Sequence, residues 1–181
     1  FIGQSYQFRS NSLFAEGSGL EDNFSDLVGR VALVPQKYLK MLYRFRVDND
    51  NLNPRRNEII ATAGPRLLNF GTRYLFIEGQ EASDAFPYRE ELSLTATSQI
   101  TDRWSFHANT LRDLETGKDR SHMFRLSYND SCFIFNMSFT RSFTQDRDIK
   151  ATDTIFFNFT LKNLGSVGAG RTITTPVDTD Q

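Results

Sequence analysis

Residues 132–164 read CFIFNMSFTRSFTQDRDIKATDTIFFNFTLKNL and contain two segments in which large apolar residues occupy every second position. The charged run 145–150 separates the two segments. Side chains alternate between the two faces of a β-strand, so each segment predicts a strand with one aromatic face and one largely polar face. Strands of about ten residues with this alternation, ended by polar turns, are typical of a membrane β-barrel that meets lipid outside and water inside.

The alternation assigns each residue of these two strands to a face. The predicted lipid-facing residues are Phe133, Phe135, Met137, Phe139, Ile155, Phe157, Phe159 and Leu161. The opposite parity of the second strand carries Thr154, Phe156, Asn158, Thr160 and Lys162.

The composition agrees with strands that lie between two environments. The chain has 17 phenylalanines, yet its mean hydropathy is negative. No stretch approaches the ~18–20 consecutive apolar residues of a transmembrane helix. With a net charge of −1, the chain lacks the excess of basic residues that is typical of a nucleic-acid-binding protein, so we predict no nucleic-acid partner.

About ten strands are predicted along the chain. They cover residues 1–9, 25–34, 38–47, 55–63, 67–77, 88–100, 103–113, 121–129, 132–142 and 153–163. Their connections alternate between long polar segments and tight turns. The long ones are 10–24, 48–54, 78–87, 114–120 and 143–152, and the tight ones are 35–37, 64–66, 101–102 and 130–131. This asymmetry is typical of outer-membrane barrels, in which external loops are long and periplasmic turns are short.

The predicted fold is therefore all-β: antiparallel transmembrane strands that form the C-terminal part of a larger barrel, as a curved sheet or partial barrel. We assign residues 1–165 to this part, because a strand is already in progress at residues 1–9. Residues 166–181 lack periodicity and are predicted to be a disordered tail on the periplasmic side.

Charged residues modify this pattern in two places. Arg56, Glu58 and Glu90 occupy what we take as the apolar parity of their strands, so we expect them beyond the hydrocarbon layer. Basic residues also occupy the predicted lumen face, namely Lys40, Arg44, Arg46, Arg73 and Arg125. Such residues either contact phosphate groups, which arginine binds bidentately, or solvate a wet lumen and pair with nearby acids.

Cys132 is the single cysteine and begins the ninth predicted strand beside the tight turn 130–131. The alternation of connections places it at the periplasmic rim, where disulfides form. Either it forms a disulfide with another chain or with a part of the protein outside this sequence, or it is a free thiol packed against its neighbours.

The sequence offers little for catalysis. His107 and His122 have opposite strand parity, and we find no defensible catalytic triad, metal-ligand spacing or glycine-rich phosphate loop. We therefore predict no catalytic, cofactor-binding or metal-binding residues. A passive porin and a lipid-modifying barrel enzyme remain alternatives, as does a soluble lipocalin-like barrel with the two faces reversed.

Several segments resemble the LPS-assembly outer-membrane protein family, LptD. Residues 131–149, 154–157 and 160–165 are similar to its C-terminal end. Residues 19–26, 43–48, 90–93 and 101–104 look like its alphaproteobacterial form. The resemblance extends to about Gly165.

The resemblance implies a large barrel with a periplasmic N-terminal domain and a plug lipoprotein, LptE. Such a barrel receives lipopolysaccharide (LPS) from a periplasmic bridge and inserts it into the outer leaflet of the outer membrane, opening between its first and last strands. Thr154, Phe156, Asn158, Thr160 and Lys162 would then belong to the gate strand. Better-known members carry a cysteine pair that bridges barrel and N-terminal domain, so the lone Cys132 leaves one such interdomain disulfide possible.

Overall fold

The computed structural model describes residues 1–8, 14, 18–20, 22–79, 88–143 and 151–174. They form a single antiparallel sheet of eleven strands in which the strands follow chain order. The strands are β1 (Ile2–Gly3), β2 (Leu27–Gln36), β3 (Leu39–Val47), β4 (Pro54–Ala63), β5 (Asn69–Ile77), β6 (Arg89–Gln99), β7 (Trp104–Asp113), β8 (Asp119–Asn129), β9 (Phe133–Ser142), β10 (Thr152–Leu161) and β11 (Gly165–Thr174). The predicted all-β antiparallel fold is confirmed. Among the described ranges, no helix is long and apolar enough to span a membrane.

Strands β2 to β10 agree with nine of the predicted strands to within a few residues. The first prediction, over residues 1–9, is too long, because β1 has two residues and Tyr6 makes an isolated bridge to Phe24.

Strand β11 is the main departure from the sequence prediction. Residues 166–174 were expected to be disordered, but they pair with β10 from Leu161↔Gly165 to Thr152↔Thr174. That expectation is wrong because a backbone ladder needs no strong apolar alternation, and GSVGAGRTIT has only a weak one, with Val167, Ala169 and Ile173 on one parity and Arg171 interrupting them. Residues 175–181 lie outside the described residues.

The added strand also changes which end of the sheet the chain reaches. Thr174 lies opposite Thr152, where the long connection 143–151 enters β10. The periplasmic exit of the tail was inferred by counting ten strands. Because an eleventh strand returns the chain to the long-connection end of the sheet, that inference does not hold.

The chain divides into two compact units, and each is described by itself. Unit 1 comprises Phe1–Thr62 and Thr72–Leu92, and unit 2 comprises Ala63–Gly71 and Ser93–Gln181. In unit 1, β2 and β3 place Val31 opposite Tyr43 and Leu33 opposite Met41. The ring of Phe45 lies over Gly29, where any side chain would collide with it.

In unit 2, the register aligns the predicted lipid-facing residues of β9 and β10 with large apolar residues of β7 and β8. Phe106 lies opposite Leu126, Phe124 opposite Phe139, and Met137 opposite Phe157. Directly opposed residues of an antiparallel pair share a face, so these side chains form one continuous surface, the apolar face. It consists of Trp104, Phe106, Ala108, Phe124, Leu126, Tyr128, Phe133, Phe135, Met137, Phe139, Ile155, Phe157, Phe159 and Leu161.

Candidate functional site

The apolar face of unit 2 ends in polar groups at the long-connection side. Arg141 lies opposite Asp153 and donates two hydrogen bonds to it, from Nε at 2.7 Å and from Nη2 at 2.8 Å. His122 lies opposite Arg141 on β8, and its Nδ1 is 2.8 Å from Thr110 Oγ1. Ionic and hydrogen-bonding groups thus replace apolar ones at the same height on several strands.

The other end of this face carries a row of rings, the aromatic row, formed by Trp104, Tyr128, Phe133 and Phe159. Successive ring centroids are 4.8, 5.3 and 5.1 Å apart, one ring from each of β7 to β10. Arg103 donates to the Tyr128 hydroxyl at 3.4 Å. From Asp153 to Leu161 the strand rises about 27 Å, or about 20 Å along the normal of a membrane at the usual barrel tilt. An apolar band of this size with an aromatic rim is the pattern of an outer-membrane barrel wall.

The opposite surface of unit 2, the polar face, carries hydrogen-bonding side chains. Asn109 donates through Nδ2 to Ser93 Oγ at 2.8 Å and to Thr95 Oγ1 at 2.9 Å. Asn158 lies opposite Asn136 in the β9–β10 register. One sheet surface is therefore suited to lipid and the other to water.

Phe156 is an aromatic residue on the polar face, and β11 explains its presence. A side chain on Gly168 would place Cβ 2.8 Å from the Phe156 ring, and one on Gly170 would place it 2.7 Å away. The ring covers backbone that these glycines leave bare. The sequence prediction could not find this contact because it did not include β11.

The predicted gate residues lie at the second-last strand of the described sheet. Thr154, Phe156, Asn158 and Thr160 belong to β10, while Lys162 follows it in the turn to β11. β10 is paired on both sides, with β9 and with β11. The gate assignment stays a prediction, but β11 rather than β10 is the end strand of the sheet order.

Unit 1 brings three of its arginines together on one acid, an arrangement that we name the Glu58 cluster. Glu58 is 2% exposed and accepts hydrogen bonds from Arg73 Nε at 2.7 Å, Arg44 Nη1 at 3.2 Å and Arg56 Nη2 at 3.4 Å. Arg44 and Arg73 were predicted to face the lumen. Glu58 and Arg56 share the face of these two residues, because Glu58 is hydrogen-bonded to all three arginines. The prediction that Arg56 and Glu58 occupy the apolar parity is wrong, because Tyr43, on the opposite face of β3, bonds Asn57 at 2.8 Å.

The other predicted lumen cations have different surroundings. Arg46 lies 3.3 Å from Asp26 and donates to the Ser18 carbonyl at 2.9 Å. Lys40 and Arg125 are exposed. The structure therefore brings together two of the five predicted cations, Arg44 and Arg73.

Polar groups at the long-connection end of unit 1 include two further arrangements. Glu90, near the start of β6 as predicted, accepts hydrogen bonds from Tyr74 at 2.7 Å and Tyr88 at 3.1 Å. Arg55 lies between Asp48 and Glu78, and its hydrogen bonds hold the pKa of Asp48 below the usual range.

Cys132 is exposed in the turn before β9, and its carbonyl accepts a hydrogen bond from Lys162 N at 3.0 Å. This is the tight-turn end of unit 2, where the sequence placed it. A disulfide partner for it stays a prediction.

The two histidines lie on opposite faces of the β7–β8 pair. His107 is opposite Arg125 on the polar face, and His122 is opposite Thr110. Within the described part of the chain, no group of three or more His, Cys, Asp or Glu residues is arranged to hold a metal ion.

Comparison with known families adds an independent finding. A family model described as LptD, LPS transport system D, matches residues 1–104, which is more than half of the chain. No curated protein matches the sequence. The match includes the Glu58 cluster, whereas most of the apolar face of unit 2 lies beyond it. Together with the strand fold, the match indicates LPS transport at the outer membrane. The chain belongs to the LptD family, LPS transport system D.

Proposed function

We propose that this chain is part of the outer-membrane translocon that inserts LPS into the outer leaflet. The strands from β1 to β11 contribute to the wall of a larger barrel, with the tight turns in the periplasm and the long connections outside. The observation that carries the proposal is the division of unit 2 into an apolar and a polar face, in a chain that belongs to an LPS-transport family.

The division of faces suits a cargo that is itself amphipathic. LPS has an acyl part and a large phosphorylated saccharide, and the saccharide needs a hydrated route past the hydrocarbon layer. Thr154, Asn158 and Thr160 offer hydroxyl and amide groups along such a route on β10. Phe157 and its neighbours on the apolar face meet outer-membrane lipid instead.

The family suggests the partners of this transport step. They are a plug lipoprotein of the LptE type and the periplasmic LPS bridge, which would dock through an N-terminal domain of the protein. Cys132, exposed at the tight-turn end, is placed for a disulfide to that domain.

Photo-crosslinking in cells tests the transport role. A photoreactive amino acid replaces Asn158 in one version of the full-length protein and Phe157 in another, since these adjacent residues point to opposite faces. We expect an LPS adduct at residue 158 that disappears when the supply of LPS from the inner membrane is stopped. The probe at residue 157 should label membrane lipid whether or not LPS is being supplied.

Two other functions predict different results. A passive porin gives no supply-dependent adduct at residue 158, and this outcome would overturn the proposal. A lipid-modifying enzyme converts phospholipid or LPS in detergent, whereas a transporter leaves both lipids chemically unchanged.

A further inference from the structure

We propose that the Glu58 cluster is a binding site for a phosphate monoester, on the surface of unit 1 that carries Arg44 and Arg73. This proposal rests on the proposed transport role, because that role identifies the source of the phosphate. We take the source to be the phosphorylated sugar headgroup of a glycolipid.

The cluster is built from three consecutive strands around one enclosed carboxylate. Arg44 comes from β3, Glu58 and Arg56 from β4, and Arg73 from β5. The Glu58 side chain is 3% exposed, whereas the arginine side chains are 45–48% exposed. The acid therefore lies beneath a layer of guanidinium groups that remain open to solvent.

The charges of the cluster do not cancel. One carboxylate faces three cations, which leaves an excess of two positive charges. Glu58 accepts one N–H from each guanidinium, and a guanidinium carries several more donors in a fixed plane. The register also places Arg30, which is exposed, opposite Arg44 on the same face.

A phosphate monoester fits this excess better than other lipid anions do. It carries a charge of about −1.5 to −2 at pH 7 and three acceptor oxygens, and arginine pairs with it bidentately. A phosphodiester such as that of a glycerophospholipid headgroup carries a single negative charge. The arrangement thus selects monoester over diester, while Glu58 keeps the guanidinium groups apart and aimed at one place.

The competing explanation is structural: the arginines neutralise Glu58 and bind nothing else. The two explanations differ in what happens once the acid is gone. If the arginines serve Glu58 alone, removing Arg44 has no effect on phosphate binding in a Glu58→Gln background.

The test uses the full-length protein with a photoreactive amino acid at Ile60, which shares the parity of Glu58 on β4. The probes are a bis-phosphorylated glucosamine-disaccharide lipid and the same lipid after phosphatase treatment. Inorganic phosphate and glycerophosphoglycerol, a diester, serve as competitors. We expect about tenfold more adduct with the phosphorylated lipid, because charge-assisted hydrogen bonds are lost with the phosphate. We also expect stronger competition from inorganic phosphate than from the diester.

Variants locate the effect. Arg44→Gln and Arg73→Gln should each lower the adduct by about tenfold, and Arg44→Gln should do so in the Glu58→Gln background as well. Lys40→Gln is the matched control, since it removes one charge from the same face of β3, and the adduct should stay within about twofold. Arg44→Lys keeps the positive charge and is the substitution least expected to disturb folding. It should lower the adduct by about threefold, because lysine does not bind phosphate bidentately. Heat-modifiable migration in SDS gels verifies folding of each variant.

A parallel probe at Asn158 separates this inference from the transport role. Two results would overturn the phosphate site: equal adducts with both lipids at Ile60, or no effect of Arg44→Gln and Arg44→Lys. In either case an LPS adduct at residue 158 would still uphold the transport role. Absence of any LPS adduct at both positions overturns both.

Discussion

The two sides of β10 make equally long backbone ladders but differ in their side chains. With β9, the strand shares ten register positions and contacts that include the Phe133–Phe159 and Phe135–Phe157 ring pairs and the Arg141–Asp153 ion pair. With β11, it also shares ten positions, but the residues opposite Leu161, Phe159 and Phe157 are Gly165, Val167 and Ala169. Cross-strand pairs of large side chains each stabilise a sheet by roughly 0.2–1 kcal/mol, so the β10–β11 pairing is the weaker of the two.

The largest expected effect comes from a charge at Phe157, which lies opposite Met137 on one side and Ala169 on the other. Phe157→Arg should lower the free energy of unfolding by about 2–4 kcal/mol, because the charge enters hydrocarbon. Asn158→Arg, on the polar face, should cost far less. Denaturant unfolding in lipid vesicles measures both, and equal costs would refute the assignment of faces.

A smaller effect should be specific to the weaker pairing. Gly170→Val places a side chain against the Phe156 ring and should cost about 1–3 kcal/mol through crowding. Adding Phe156→Ala should recover part of that loss, whereas Ala169→Val on the other face should cost little. A Gly170→Val protein with unchanged amide exchange in β11 would show that the ring does not hold this strand.

The stronger pairing should respond to loss of an aromatic ring. Phe159→Leu keeps an apolar residue but removes its ring contact with Phe133, and it should cost about 0.5–1.5 kcal/mol. Val167→Leu, opposite residue 159 on β11, should change stability by less. If the two substitutions have equal effects, the side chains do not distinguish the two pairings.

The smallest effect should follow substitution of Cys132, whose contact with Lys162 is made by its backbone carbonyl. Cys132→Ser should change the unfolding free energy by no more than about 0.5 kcal/mol in the reduced protein. In the full-length oxidised protein, it should change mobility on a non-reducing gel. Unaltered mobility would exclude the proposed disulfide.

The same contrast explains what the sequence could predict. Alternation in β9 and β10 specifies both the strands and their faces, because apolar side chains there must all lie on one side. In β11 the pattern is weak, because small residues predominate and Arg171 interrupts the parity of Val167 and Ala169. Its pairing depends instead on backbone groups and on glycines that accommodate Phe156. The strand was therefore missed.

The Glu58 cluster was predicted only in part for a related reason. The parity of Arg44 and Arg73 was visible along their own strands. Charged or polar residues occur on both parities of β4, with Arg55 and Asn57 on one and Arg56 and Glu58 on the other, so its apolar face could not be recognised. The pairing of β4 with β3 and β5 shows which of its faces is apolar, and the sequence of a single strand does not contain this information.

The aromatic row has a consequence for where this protein can reside. Four rings at one level, from Trp104 to Phe159, fix the depth at which β7 to β10 sit, and Arg141 and Asp153 fix the opposite boundary. Strands anchored at both boundaries cannot tilt or slide to suit a thicker bilayer without drawing an ion pair into hydrocarbon. Hydrophobic mismatch therefore favours a thin membrane, and the bacterial outer membrane is thinner than average.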